Sequence, residues 1–224
     1  MLAFCFVPLL LAQAPAQEEP KVVALTLRGL AASADYVAVQ KQIARVPGVA
    51  RVVFWVEKDN YHIHVHAKEP LRLRALHEAT ADAEKEMKET LRMTVDYAID
   101  ESRLRLSTET TVVVTGGDAV VEAIKLVVPV ASTAPRDGAL EVRIAPKEPV
   151  AVAALRKSVE GTLEKLLDVA LPGGSRPAAA YVCPNGCSES RGEGFCPRCA
   201  EKLVKGAGVG GATADAAKPP ASGG

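Results

Sequence analysis

Four cysteines crowd one short stretch near the C-terminal end, in the order Cys183-x3-Cys187-x8-Cys196-x2-Cys199. Two close pairs separated by a short hairpin loop suit one tetrahedral ion, because each pair makes a tight turn that points two sulfurs inward and the ion joins the turns. Pro184 and Pro197 stiffen these turns, and Gly186, Gly192 and Gly194 allow the backbone angles they need. A segment this small has no hydrophobic core of its own, so a bound metal would supply most of its folding energy. Zinc suits four thiolates, at about 2.3 Å each, because its filled d shell imposes no geometry of its own. Two other uses of the same residues stand beside this one. In an exported protein the quartet makes two disulfides. Alternatively Cys196-Pro197-Arg198-Cys199 is a thiol–disulfide oxidoreductase pair. That motif normally opens a helix in a thioredoxin-like domain, and no segment here has that pattern.

Export is itself an expectation from the other end of the chain. Residues 1–16 read as a signal peptide: Leu2 to Leu11 is nearly all apolar, Ala14-Pro15-Ala16 offers small residues at a cleavage spacing, and Gln17-Glu18-Glu19 follows. No Lys or Arg precedes the apolar run, and Phe4 before Cys5 does not make a lipoprotein box. Cleavage before Gln17 would remove Cys5 and place the chain in the periplasm or outside the cell. No other segment is long and apolar enough to span a bilayer. Lys plus Arg and Asp plus Glu are 27 each, so the balance gives no general pull toward nucleic acid or acidic membranes. Aromatics are only 4%, so the core must be built from Val, Leu, Ala and Ile.

The middle of the chain reads as α+β. Val22 to Leu27 is a strand, and Ala34 to Val46 a helix with Ser33 as its N-cap and Val37, Val39, Ile43 and Val46 on one face. Val49 to Glu57 and Tyr61 to Ala67 form a hairpin across Lys58-Asp59-Asn60. A helix starting at Pro70 and running to about Thr90 carries Leu73, Leu76, Ala79, Ala83 and Met87 at helical spacing. Met93 to Ile99 closes the set as a strand. The resulting strand-helix-strand-strand-helix-strand order is the split βαβ of a ferredoxin-like fold, assigned to residues 17–100.

Within it, Leu25-x-Leu27-x-Gly29-Leu30 and Val46-Pro47-Gly48-Val49-x-x-Val52 resemble a heavy-metal-associated domain over about a third of the chain. That family carries two cysteines in the loop after its first strand. Here those positions fall on Ala32 and Asp35, so the resemblance implies the fold and not the copper site.

Residues 101–171 read as a second, degenerate copy. Lys147-Glu148-Pro149-Val150 repeats Lys68-Glu69-Pro70-Leu71, and both follow an alternating strand, Leu140 to Ala145 in the later case. A helix is expected from Pro149 to about Val169. Thr110 to Thr115 is the copy's first strand, and Asp118 to Val127 its first helix. Ala119 to Val130 also reads as one long strand, which would make the region a three-stranded meander with one helix. Residues 172–180 are a linker, 181–205 the four-cysteine ribbon, and 206–224 a Gly/Ala/Pro-rich tail expected to be disordered.

The ribbon segment also resembles the short heavy-metal-binding domain of copper and silver efflux proteins, through Tyr181-x-Cys183-Pro184, Gly194-x-Cys196-Pro197-x-Cys199 and Leu203. Where that family has Met-His after its first Cys-Pro, this chain has Asn185-Gly186 followed by Cys187. Where it has Gly-Met after its last Cys, this chain has Ala200-Glu201. A fourth thiolate in place of thioether and imidazole favours a closed zinc site over cuprous transfer.

The second candidate metal site is His62-Ile63-His64-Val65-His66. Strand side chains alternate, so the three histidines share a face with Val53 and Trp55, and Ile63 and Val65 face the helices. His62/His64 or His64/His66 is a chelating pair for zinc, copper or another transition metal, and the alternative is an ordinary solvated or packed face. No phosphate loop, dinucleotide fingerprint or nucleophile elbow is found. The expectation is an exported, non-catalytic metal-binding accessory or sensor in heavy-metal handling, with a protein partner in the cell envelope and no nucleic acid. A protein-interaction scaffold with a purely structural ribbon is the alternative.

Overall fold

The computed structural model describes residues 20–57, 60–160, 166–175 and 177–206. The expected signal peptide, the tip of the first hairpin and the tail beyond Gly206 lie outside the described residues. The described chain is mixed α+β, with four helices and several sheets.

The first unit runs β1 (Lys21–Leu25), β2 (Leu27–Arg28), α1 (Ser33–Ile43), β3 (Val49–Glu57), β4 (Asn60–Ala67), β5 (Leu71–Arg72), α2 (Leu73–Leu91) and β6 (Ala98–Ile99). β4 lies antiparallel between β1 and β3, and β2 pairs with β6. Val23, Leu25, Val52, Phe54, Ile63 and Val65 point to one side and join Tyr36, Val39, Ile43, Leu76 and Ala83 of the helices in one core. Tyr36 meets Phe54 edge-on at 5.0 Å.

Three local expectations are corrected. Ala32, not Ser33, occupies the cap position of α1. The capping work falls to Asp35, whose Oδ2 accepts the N–H groups of Ala31 and Ala32 at 2.8 and 2.7 Å. Val37 is exposed, and the buried face of α1 runs through Tyr36, Val39 and Ile43. The closing strand is only Ala98–Ile99, because the Tyr97 N–H is taken by the Glu84 carboxylate of α2 at 2.6 Å and not by a strand neighbour.

β7 (Arg105–Leu106) ends the first unit, and a second unit follows: β8 (Thr110–Val114), α3 (Asp118–Lys125), β9 (Val130–Arg136), β10 (Ala139–Ile144), β11 (Val150–Ala151), α4 (Val152–Val159) and β12 (Leu166–Leu171). The order β12-β8-β10-β9 is fourth-first-third-second; the first unit shares its first-third-second part as β1-β4-β3, while its closing strand β6 pairs with β2 in a separate two-stranded sheet. Of the two readings of Ala119 to Val130, the helix is the one found. The helix expected to reach Val169 ends at Val159, and Leu166–Leu171 is a strand. The stretch Leu166-Leu167-Asp168-Val169-Ala170-Leu171 is too short for its periodicity to separate a strand from a helix.

Each unit completes the other. β5 pairs with Ala170 and Leu171 of β12, and β11 pairs with Arg105 and Leu106 of β7. The two Lys-Glu-Pro repeats immediately precede these two exchanged strands. Asp168 caps α2 across the junction by accepting the Arg74 N–H at 3.0 Å. A single buried core runs through both units, from Leu25 to Leu155 and Val169.

The ribbon contributes β13 (Tyr181–Val182), β14 (Ser188–Ser190) and β15 (Val204–Lys205). β14 lies parallel to β3, pairing Ser188 with Phe54, Glu189 with Trp55 and Ser190 with Val56. One six-stranded sheet thus runs β1-β4-β3-β14-β13-β15. The connecting segment exchanges two 2.8 Å backbone bonds with β1, between Val22 and Gly174. It therefore travels from the β1 border of this sheet to the far side of β3.

Candidate metal centre

Two turns make the site. In the first, the Gly186 N–H bonds the Cys183 carbonyl at 2.8 Å, and Gly186 adopts a left-handed φ of 69°. In the second, the Ala200 N–H bonds the Cys196 carbonyl at 2.9 Å, and Ala200 is left-handed at φ 58°. Short ladders hold the turns face to face: Cys183 N–H to Ser188 O, Cys196 N–H to Glu201 O, and Leu203 N–H to Gly194 O.

The four sulfurs converge. Cys187 lies 3.4 Å from Cys183, 3.3 Å from Cys196 and 3.6 Å from Cys199, and Cys183 lies 3.5 Å from Cys199. All four lie within 4.8 Å of one another. A regular tetrahedron of sulfurs around a zinc-sized centre has edges of about 3.8 Å, so the spacing fits one ion. The cysteines are free thiols here, with Cys183, Cys187 and Cys196 buried and Cys199 partly exposed. This quartet is the one group among the described residues with three or more ligand side chains placed to hold a metal ion.

The protons on these thiols respond to the crowding. Burial pushes the Cys187 thiol far up, and its three sulfur neighbours add to the effect. Burial also raises Cys183, against hydrogen bonding from Cys187. At Cys199 burial is outweighed by donation from the Asn185 amide, the Glu201 backbone N–H and neighbouring thiols, which bring it down to about 6. One thiol is thus ready to ionise and two resist, and a cation is what would let all four be thiolates together.

The ribbon's apolar cover is thin. Val56 of β3 and Leu203 are the buried apolar side chains packed with the cysteines, and Tyr181 is partly buried beside them. Val56 thus belongs to the site although it lies far away in sequence. So do three polar residues that no local pattern marks. Arg51 donates to the Gly186 carbonyl at 3.1 Å and faces Glu189 at 3.6 Å. Gln40 of α1 donates to the Val52 carbonyl at 2.8 Å and accepts from Arg198 of the ribbon at 2.9 Å. Asn185 donates to Cys199 Sγ at 3.5 Å.

The histidines lie on the face that alternation assigns them, away from the helices. His64 stacks on Trp55 with ring centroids 4.8 Å apart, and Arg191 of the ribbon lies 6.0 Å over the same Trp55 ring. His62 shares a 2.9 Å hydrogen bond with Thr26. Burial and the nearby Arg103 charge lower the His62 pKa, partly opposed by Glu57. His64 and His66 are 6% and 4% exposed, so this face is packed over them and not solvated. Glu189, placed beside this face by its pairing with Trp55, is engaged with Arg51.

At the loop where a metal-binding pair would sit, Asp35 is buried and already occupied. Besides the two backbone N–H groups, it accepts the Tyr97 hydroxyl at 2.6 Å. Burial would raise its pKa, but these three donors outweigh it and hold the carboxyl below its ordinary value.

No family model matches the chain, and no curated protein matches it. Among solved structures, it is similar to the water-soluble region of the P-type ATPase CopA from Bacillus subtilis. The identity is 18%, covering 67% of this chain and 93% of that one, with a TM-score of 0.27. It is likewise similar to the N-terminal soluble domains of Bacillus subtilis CopA, at 17% identity, the same coverage and a TM-score of 0.23. Similarities this low decide neither fold nor function.

Proposed function

We propose that the chain is an exported, non-catalytic metal-binding protein, an accessory or sensor in heavy-metal handling, in which Cys183, Cys187, Cys196 and Cys199 hold one zinc ion. The observation that carries this reading is the convergence of four mostly buried sulfurs within 4.8 Å on a segment with almost no apolar core. Four thiolates without thioether or imidazole support zinc over copper. The strand order of both units supports a ferredoxin-like reading of each. The first is then a heavy-metal-associated-type unit in which the Asp35–Tyr97 contact takes the place of metal ligands.

The test is metal content and thiol count on full-length protein recovered from the exported fraction. One zinc per chain, with four thiols that react only after chelation, is the expected result. A metal-free chain without free thiols would mean two disulfides and end the proposal. An additional ion held by a pair among His62, His64 and His66 would register as a second equivalent lost in His64→Ala.

One observation favours a second reading, an interaction scaffold with a purely structural ribbon: β14 is built into the main sheet through β3. Protein in which zinc never exchanges with added metal in its native state would support that role.

A further inference from the structure

We infer that the ribbon is a detachable cap on the β3 edge, and that emptying the cysteine site frees this edge to pair with the β3 of a second copy of the chain. The inference rests on the metal reading of the cysteines and goes beyond it by naming what the metal controls.

The cap is joined to the edge at its metal-binding turns. The Phe54 N–H bonds the carbonyl of Cys187 itself at 3.1 Å, and Arg51 bonds the carbonyl of Gly186, the residue before it. Val56 is the one buried side chain that the main sheet lends to the cysteine cluster. With so little apolar cover, the ribbon's order depends on the four ligands, whereas the two units share a large core that makes no use of them. Losing the ligand cluster therefore releases β14 and leaves β3 folded.

What is released is an aggregation-competent edge. Val52 to Val56 is an unbroken apolar stretch with no Pro, Gly or Lys to blunt it. Two copies fit each other there. The Phe54 N–H and the Val52 carbonyl both point outward from the edge, toward Cys187 and Gln40 respectively. An antiparallel pair centred on Phe54 would therefore set Phe54 against its own copy as a hydrogen-bonded pair and Val52 against Val56. The same register sets Arg51 opposite Glu57 at both ends, a self-complementary arrangement suited to a twofold dimer.

The chain carries its own reporter, since Trp55 is its single tryptophan and is 3% exposed. The experiment chelates zinc from the full-length protein under reductant. It follows Trp55 emission, far-UV circular dichroism and mass by sedimentation. A chain that held no zinc at the outset would overturn the metal reading and this one with it. The expected result is a red-shifted Trp55, retained helices and a doubled mass, all reversed by zinc. Arg51→Glu should weaken the metal-free dimer on the order of tenfold, and Arg51→Glu with Glu57→Arg should restore it. Zinc-binding protein whose Trp55 emission or mass does not change on chelation would overturn the cap. Loss of all helical signal would do the same, as would an Arg51→Glu variant that dimerises like the parent.

Discussion

His77 of α2 and Arg156 of α4, which hold equivalent positions after the two Lys-Glu-Pro repeats, meet on one carboxylate, that of Glu101. His77 approaches it at 2.9 Å, and Arg156 grips both oxygens at 2.7 Å. Burial alone would raise the Glu101 pKa, but these donors and the Arg156 charge hold it down to about 2, from an ordinary 4.5. A depressed carboxylate pKa stabilises the folded chain above the unfolded value, and that contribution is lost as pH falls toward the folded one. Glu101→Gln should therefore cost about 1–3 kcal/mol at neutral pH. The gap from the parent in urea denaturation should close between about pH 4.5 and pH 2. A gap that is constant with pH would show that the ion pairs contribute nothing.

The Asp35 carboxylate predicts an ordered mutant series. Tyr97→Phe removes one donor to a buried charge and should cost about 1.5–3 kcal/mol. Asp35→Ala should cost more, because it leaves two backbone N–H groups and the tyrosine hydroxyl unmet. Equal losses in equilibrium unfolding would contradict this order.

Two glycines separate backbone strain from steric contact. Gly29 sits at φ 87°, and a Cβ there would lie 2.0 Å from the Asp96 carbonyl oxygen. Gly138 sits at φ 79° with nothing within 4 Å. Gly138→Ala should cost only the left-handed penalty of about 1–2 kcal/mol. Gly29→Ala should exceed it by at least about 2 kcal/mol, since the backbone of Asp96 must move. Thermal denaturation of the two variants compares them directly.

Asn185 gives a test of the cysteine site that leaves all four ligands in place. Asn185→Ala removes the amide that donates to Cys199 and should weaken zinc binding by roughly tenfold in a chelator competition, as outer-shell losses do. An unchanged affinity would mean that the amide does not support the ligand.

What could be read from residues alone followed distance along the chain. The cysteine turns are local, and the spacing of Cys183, Cys187, Cys196 and Cys199 announced a shared site. Leu73, Leu76, Ala79, Ala83 and Met87 are all buried on α2, as helical periodicity required. Alternation put Ile63 and Val65 into the core and His64 beside Trp55. The pairings of β5 with β12, β7 with β11 and β14 with β3 had no local signature, because each involves two or three residues whose partners are remote. The same remoteness hid the parts of the metal centre contributed by Gln40, Arg51 and Val56. It also left undecided whether the histidine face is solvated or packed.

The exchange of β5 and β11 has a consequence for how such a chain arises. A chain carrying one unit alone would hold out a two-residue strand with nothing to receive it, and would recover that pairing by meeting an identical neighbour. Joined in tandem, the two units supply that pairing within one polypeptide. Its halves are then free to diverge in surface and ligands, but not in the short strands by which each still completes the other.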